Sequence, residues 1–291
     1  MTEDRKNLMT RTLSGAVLAV VIVGSLLWSP WSFGAVLALL VAGGMYEFYT
    51  LAEKRSSRPQ RVLGIAVALA LFGLNAVVTR GVAGIGFESA LLGALALLLL
   101  MVPVLLVCEL YRKNDDPMAA VGTTLLGILY VVLPMICLFH IASAGGKGWD
   151  WNPRAALGYI LIIWANDVFA YLVGRKLGRH KHFSRHSSNK SWEGFFGGVA
   201  GAVAVGLAAA WWFGGNLWAW GGLALVAAAT GVLGDLTESM FKRAAAVKDS
   251  GDLMPGHGGV LDRFDAVLLS APFVAVYLLL CRYVFDVALF C

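Results

Sequence analysis

Residues 235–265 carry an unusual set of functional side chains for so apolar a chain. The stretch KDSGDLMPGHGGVLDRFD (248–265) holds six charged residues, a histidine, four glycines and a proline. Apolar runs flank it at 221–234 and 266–280. Just upstream, Asp235, Ser239 and Lys242 stand at i, i+4 and i+7. On a helix they share one face, with Arg243 beside it. Asp249, Asp252, Asp262 and Asp265 follow closely. Carboxylates brought together repel unless a cation intervenes. Ligands made only of oxygen favour a hard ion such as Mg²⁺, which keeps one or two carboxylates, waters and substrate phosphates. Lys242, Arg243, Lys248 and Arg263 offer donors to phosphate oxygens. The glycines around His257, among them Gly258 and Gly259, let backbone N–H groups approach an anion closely. This is the parts list of a phosphate-handling site. The chain has no HExxH, no Cys/His ligand cluster and no nucleophile elbow.

A second polar stretch, residues 174–194, has six Lys/Arg, three histidines and a single acid, Glu193. A basic loop this dense attracts anionic lipid head groups. Upstream of it, Asn166 and Asp167 interrupt an apolar run. An ionisable residue there is a functional candidate, with Arg175 or a bound ion as partner. Glu47, in GGMYEFYTL, is a candidate of the same kind.

The elements that must position these groups are membrane helices. Of the 291 residues, 59% are hydrophobic and only 14% charged, with a mean hydropathy of +0.74. Soluble domains average about 25% charged. Apolar segments stand out at roughly 12–28, 32–52, 62–79, 87–109, 118–142, 155–174, 195–213, 216–234 and 266–286. The expected fold is all-α: one polytopic integral membrane domain of about nine transmembrane helices over 1–291. Residues 1–154 form about five N-terminal spans, and 155–291 hold the catalytic spans and loops. With nine spans, alternation puts all but Arg80, Lys147, Arg154 and Arg282 of the 23 Lys/Arg on one side. The positive-inside rule makes that side, and the N-terminus, cytoplasmic and places the C-terminus outside. The basic N-terminus lacks a small-residue cleavage site, so the first apolar run reads as a retained helix. The net charge of +5 is mostly this topological signal, and no nucleic-acid motif accompanies it. The four cysteines, Cys108, Cys137, Cys281 and Cys291, are scattered and suggest neither zinc nor disulfides. The small-residue spacing in 197–206 predicts close helix packing.

Residues 239–265 resemble the signature of the phosphatidate cytidylyltransferases, the CDP-diacylglycerol synthases. The matching positions are Ser239, Lys242, Arg243, Lys248, Asp249, His257, Gly258, Gly259, Asp262, Arg263 and Asp265. The segments 234–239, 166–175 and 189–194 are similar to further family motifs. There are departures: Val168 follows Asp167 where the family often has threonine, and the 187–194 loop lacks a proline and a lysine. The resemblance implies about nine spans, a Mg²⁺ requirement with or without a second cation, and often a homodimer. It implies CTP and phosphatidic acid as substrates, with CDP-diacylglycerol and pyrophosphate as products, at the cytoplasmic side of the inner membrane. On that basis Asp235 and Asp262 are expected to hold the metal, with Asp265 as a supporting or alternate ligand. Lys242, Arg243 and Lys248 would contact phosphates, supported by Ser239 and Asp249. The Gly258–Gly259 backbone, with His257, would approach the triphosphate. Lys190 and Arg175 would place the lipid phosphate, and Asp167 would orient one of these cations. Two other activities share part of the pattern. A CTP-dependent membrane lipid kinase would transfer the γ-phosphoryl group, and an ion-coupled transporter would use Asp167 and Glu47; no inverted repeat supports the latter.

Overall fold

The computed structural model describes residues 3–55, 57–80, 87–143, 151–181, 190–253 and 258–290. Nine helices follow in order among them: α1 (Glu3–Trp28), α2 (Pro30–Glu53), α3 (Arg61–Arg80), α4 (Phe87–Arg112), α5 (Pro117–Ile141), α6 (Pro153–Leu177), α7 (Trp192–Phe213), α8 (Leu217–Ala244) and α9 (Leu261–Tyr283). A π-helical turn interrupts α5 at Ile128–Val132. No β-strand occurs among the described residues, only two isolated bridges. Eight of the helices are long and apolar enough to cross a membrane, and α1 adds the shorter apolar stretch Leu13–Trp28. The nine segments expected from the sequence fall one on each helix, and the chain is a polytopic helical membrane protein. Two boundaries differ usefully. The α8 helix runs on to Ala244 instead of stopping near 234, and α9 starts at Leu261 instead of 266. Both extensions carry signature residues.

Several helix starts are written locally. Ser29–Pro30, Asp116–Pro117 and Asn152–Pro153 each place a capping side chain before a proline at the first helical position. At Ser29 the cap is reciprocal: Ser32 N donates to Ser29 Oγ at 3.1 Å, and Ser29 N to Ser32 Oγ at 3.0 Å. Gly214, at φ 70°, ends α7 in the left-handed region that glycine adopts without strain.

The chain divides into two compact units. The first is Met1–Ile136 with Ala244–Arg263. Phe33, Leu37, Val41, Met45 and Tyr49 of α2 form much of its core. Its polar tie is the buried Glu109, which accepts from Gln60 Nε2 at 2.7 Å, Arg112 Nη1 at 2.9 Å and Asn114 Nδ2 at 2.9 Å. Gln60 N in turn donates to Thr124 Oγ1 at 2.8 Å, so the turn before α3 is bound to α4 and α5.

The second unit is Cys137–Arg243 with Phe264–Cys291. Its α6 and α7 lie in close contact along the glycine stripe read from the sequence. Gly194 abuts Ala170 and Gly174, Gly197 abuts Val173, Gly198 abuts Asn166 and Ala170, and Gly201 abuts Phe169. Small residues let membrane helices approach backbone to backbone. A methyl group on Gly198 would lie 2.7 Å from Asn166 Oδ1 and 2.9 Å from both Ala170 Cβ and the Asn166 carbonyl oxygen. Gly73 on α3 has nothing within 4 Å of such a methyl. Gly198→Ala should therefore destabilise the solubilised protein by about 1–3 kcal/mol. Gly73→Ala should leave thermal stability unchanged or raised. Melting temperatures of the two variants, read by size-exclusion fluorescence, check this.

Candidate active site

In the second unit, α8 presents Asp235, Glu238, Ser239 and Lys242 along one side of its last turns. Gly234 is the point of closest approach to α9. A methyl there would sit 3.1 Å from Ala266 Cα and run into the Asp265 carbonyl. Gly231, one turn earlier, faces Ala266 and Ile163. These two glycines let Asp265 come against the α8 carboxylates. Ligand oxygens of Asp235, Glu238 and Asp265 all lie within 4.8 Å of one another.

Three carboxylates so close need compensation, and lysines provide part of it. Lys190 makes an ion pair with Asp235. Lys242 Nζ donates to the buried Glu238 Oε2 at 2.7 Å. Ser239 Oγ donates to Asp235 Oδ1 at 3.3 Å, and Asp265 Oδ1 accepts from the Ala266 N–H at 2.8 Å. All the acidic donors are oxygens, the set a hard divalent cation takes.

Asp235 also borders a cavity of about 730 Å³ whose wall includes Asp167, Tyr171, Arg175 and Lys190. Ligand pockets are commonly about 300–1,000 Å³. Arg175 Nη1 donates to Tyr171 Oη at 3.2 Å. Lys190 is held in place by the residues after it. Ser191 caps α7, accepting from Gly194 N at 3.1 Å. Glu193 accepts from Arg179 N at 3.1 Å, from His180 N at 3.2 Å, and contacts His180 Nδ1 at 2.6 Å. Trp192 N donates to His180 O at 2.9 Å, and Lys181 bridges to Ser191. Residues 191–194 thus fasten Arg179, His180 and Lys181 to the start of α7.

The remaining signature residues belong to the first unit. Asp262 Oδ2 accepts from Ser250 N at 2.9 Å, Ser250 Oγ at 2.8 Å and Gly259 N at 2.9 Å. Gly258 sits at φ 77°, beside Asp262 and Asp249. Lys248, Asp249 and Arg263 are exposed, as is Arg243 of the second unit. His257 lies outside the described residues. Of the expected residues, then, the second unit brings together Asp235, Ser239, Asp265, Lys190, Asp167 and Arg175. Lys242 joins them through Glu238. Gly259 N–H, expected to face a triphosphate, is engaged by Asp262. Sequence reasoning missed Glu238 and the loop-fastening Glu193. Glu238 had a signal, standing three residues after Asp235 and four before Lys242.

Residues 9–281 match the profile of the cytidylyltransferase family. The chain belongs to this family. A phosphatidate cytidylyltransferase of Synechocystis sp. is 32% identical over 296 residues, spanning 93% of this chain and 97% of that protein. One from Staphylococcus aureus is 42% identical over 151 residues, spanning 49% of this chain and 58% of its own length. One from Staphylococcus epidermidis is 31% identical over 236 residues, 74% of this chain and 88% of its own. This cytidylyltransferase-family chain therefore carries its acidic cluster on helices that the family match covers.

Glu193 is the hinge of the loop anchorage. Its carboxylate accepts the Arg179 and His180 N–H groups, which would otherwise turn to water. Glu193→Ala should accelerate amide exchange at Arg179 and His180 roughly tenfold or more. Hydrogen-exchange mass spectrometry of the full chain checks it; unchanged exchange there would remove Glu193 from this role.

Proposed function

We propose that this protein transfers the cytidylyl group of CTP to phosphatidic acid, giving CDP-diacylglycerol and pyrophosphate, at the cytoplasmic face of the inner membrane. One observation carries the reading. An all-oxygen carboxylate cluster, countered by two lysines, adjoins a cavity of about 730 Å³ beside the last turns of α8. The names of the relatives agree with it.

The chemistry fits these residues. The phosphate of phosphatidate attacks the α-phosphorus of CTP and pyrophosphate leaves. A phosphomonoester is largely dianionic near neutral pH, since its second pKa is about 6. The nucleophile needs no strong general base. The difficulty is bringing two polyanions together. Asp235, Glu238 and Asp265 would hold Mg²⁺, which when bound neutralises phosphate charge and aligns an in-line displacement. Lys190 and Arg175 on the cavity wall place the lipid phosphate, and Asp167 orients them. Lys242, paired to Glu238, sets the charge of the cluster. Arg243 and Lys248 contact phosphates of CTP. Asp249, Arg263 and the 257–259 segment support the nucleotide.

With purified protein, Mg²⁺ and phosphatidate, label from α-labelled CTP should enter the lipid while γ-label leaves in pyrophosphate. Entry of γ-label into lipid would establish a kinase instead. Asp235→Asn should lower turnover by about 100-fold or more, the scale of losing one preorganised electrostatic contact. Asp262→Asn tests, in the same assay, the ligand role expected for that residue. The reading includes a homodimer, for which light scattering in detergent should give twice the chain mass.

A further inference from the structure

Glu47 sits in the second span and is 2% exposed. A buried carboxylate of this kind has to be satisfied by the protein. Among the described residues its ion pairs are none. Its partners are instead the end of the signature loop. Oε1 accepts from Val260 N at 2.9 Å, and Oε2 from Leu261 N at 3.0 Å and Ser250 Oγ at 3.3 Å. Val260 and Leu261 supply first-turn N–H groups of α9, which have no partner within the helix. A carboxylate at a helix N-terminus also meets the positive end of the dipole. Glu47 therefore caps α9 from another helix, more than two hundred residues away in sequence.

The surrounding glycines are shaped to this contact. A methyl on Gly251 would lie 2.6 Å from Glu47 Oε1, and one on Gly259 2.7 Å from Glu47 Cδ. On α2, Gly43 and Gly44 leave room for Val260 and Leu261 one turn before Glu47. The GGMYE run is thus a receptor for the loop: two glycines take its apolar side chains, and the glutamate takes its backbone. Ser250 joins Glu47 to Asp262, so two carboxylates hold both ends of residues 250–261.

We propose that Glu47 is a positioning residue for nucleotide binding. From the second span it fixes Ser250 and the Val260–Leu261 backbone and sets affinity for a nucleoside triphosphate without touching it. The proposal rests on the function given above, which assigns this loop to CTP. The test uses the full chain in detergent. Glu47→Gln keeps the shape but turns an NH₂ toward a backbone donor. Gly251→Ala keeps the glutamate but crowds it. Both variants should speed amide exchange at Val260 and Leu261, and raise the equilibrium Kd for CTP with Mg²⁺, by about tenfold. In Glu47→Gln the KM for phosphatidate and the melting temperature should stay near wild type, and Glu47→Asp should recover part of the affinity. Wild-type exchange or wild-type CTP affinity in Glu47→Gln would overturn the proposal. So would a joint loss of affinity for both substrates with a fall in melting temperature, which marks a merely structural role. A wild type that binds CTP without forming nucleotide-linked lipid would sink the assigned reaction, yet leave the Glu47 comparison decisive.

Discussion

A carboxylate within or at the end of a membrane span must find its compensation inside the protein. On insertion scales a charge at mid-bilayer costs about 2.5–3.5 kcal/mol, less near the interface. Around the signature residues this chain meets that demand in two ways. In the second unit, lysines answer the acids: Lys190 for Asp235 and Lys242 for Glu238. In the first, backbone N–H groups and one hydroxyl do, at Glu47 and Asp262. The first solution leaves a cluster rich in charge. The second commits the carboxylates to holding Ser250 and the Gly259–Leu261 backbone.

Both solutions require backbones to come closer than side chains normally permit. Gly231 and Gly234 bring α9 against α8 where Asp265 joins Asp235 and Glu238. Gly251 and Gly259 let the loop close on Glu47. The α6–α7 stripe works the same way, and it has a consequence for the cavity. Gly194 and Gly198 hold α7 against the turns of α6 that bear Asn166, Asp167 and Ala170. Glycine is conformationally costly in a helix, about 0.8–1 kcal/mol relative to alanine. Its presence at these contacts follows from the lack of a hydrophobic drive between helices in lipid, where close packing has to supply the association.

Most of the helical frame was legible in the sequence because membrane length and apolarity are strong, local signals. Ser29–Pro30, Asp116–Pro117 and Asn152–Pro153 mark starts that single residues dictate. The ends were harder. Hydropathy falls after residue 234, yet the hydrogen-bonded ladder of α8 continues to Ala244, since charged residues at a span end favour helix as readily as loop. The i, i+4, i+7 spacing of Asp235, Ser239 and Lys242 did carry that information. Glu238 escaped notice because a Glu–Lys pair four residues apart is common on any exposed helix; only burial distinguishes this one. Glu47 was visible as an intramembrane acid, but its partners are remote in sequence and are backbone groups, which leave no side-chain signature.

No strong catalytic base is required once charge is taken as the obstacle. A dianionic phosphate is already a nucleophile, so a histidine or a hydroxyl relay would add nothing to the attack. What two polyanions need is a surface on which negative charge is tolerated. A cluster of three carboxylates and two lysines is nearly balanced, with the acids in slight excess. Added divalent charge would make it net positive, and the lysines could then exchange carboxylate for phosphate oxygens without leaving either unpaired. A site built from balanced ion pairs therefore holds together before its substrates arrive and gains charge complementarity only as the cation and phosphates assemble.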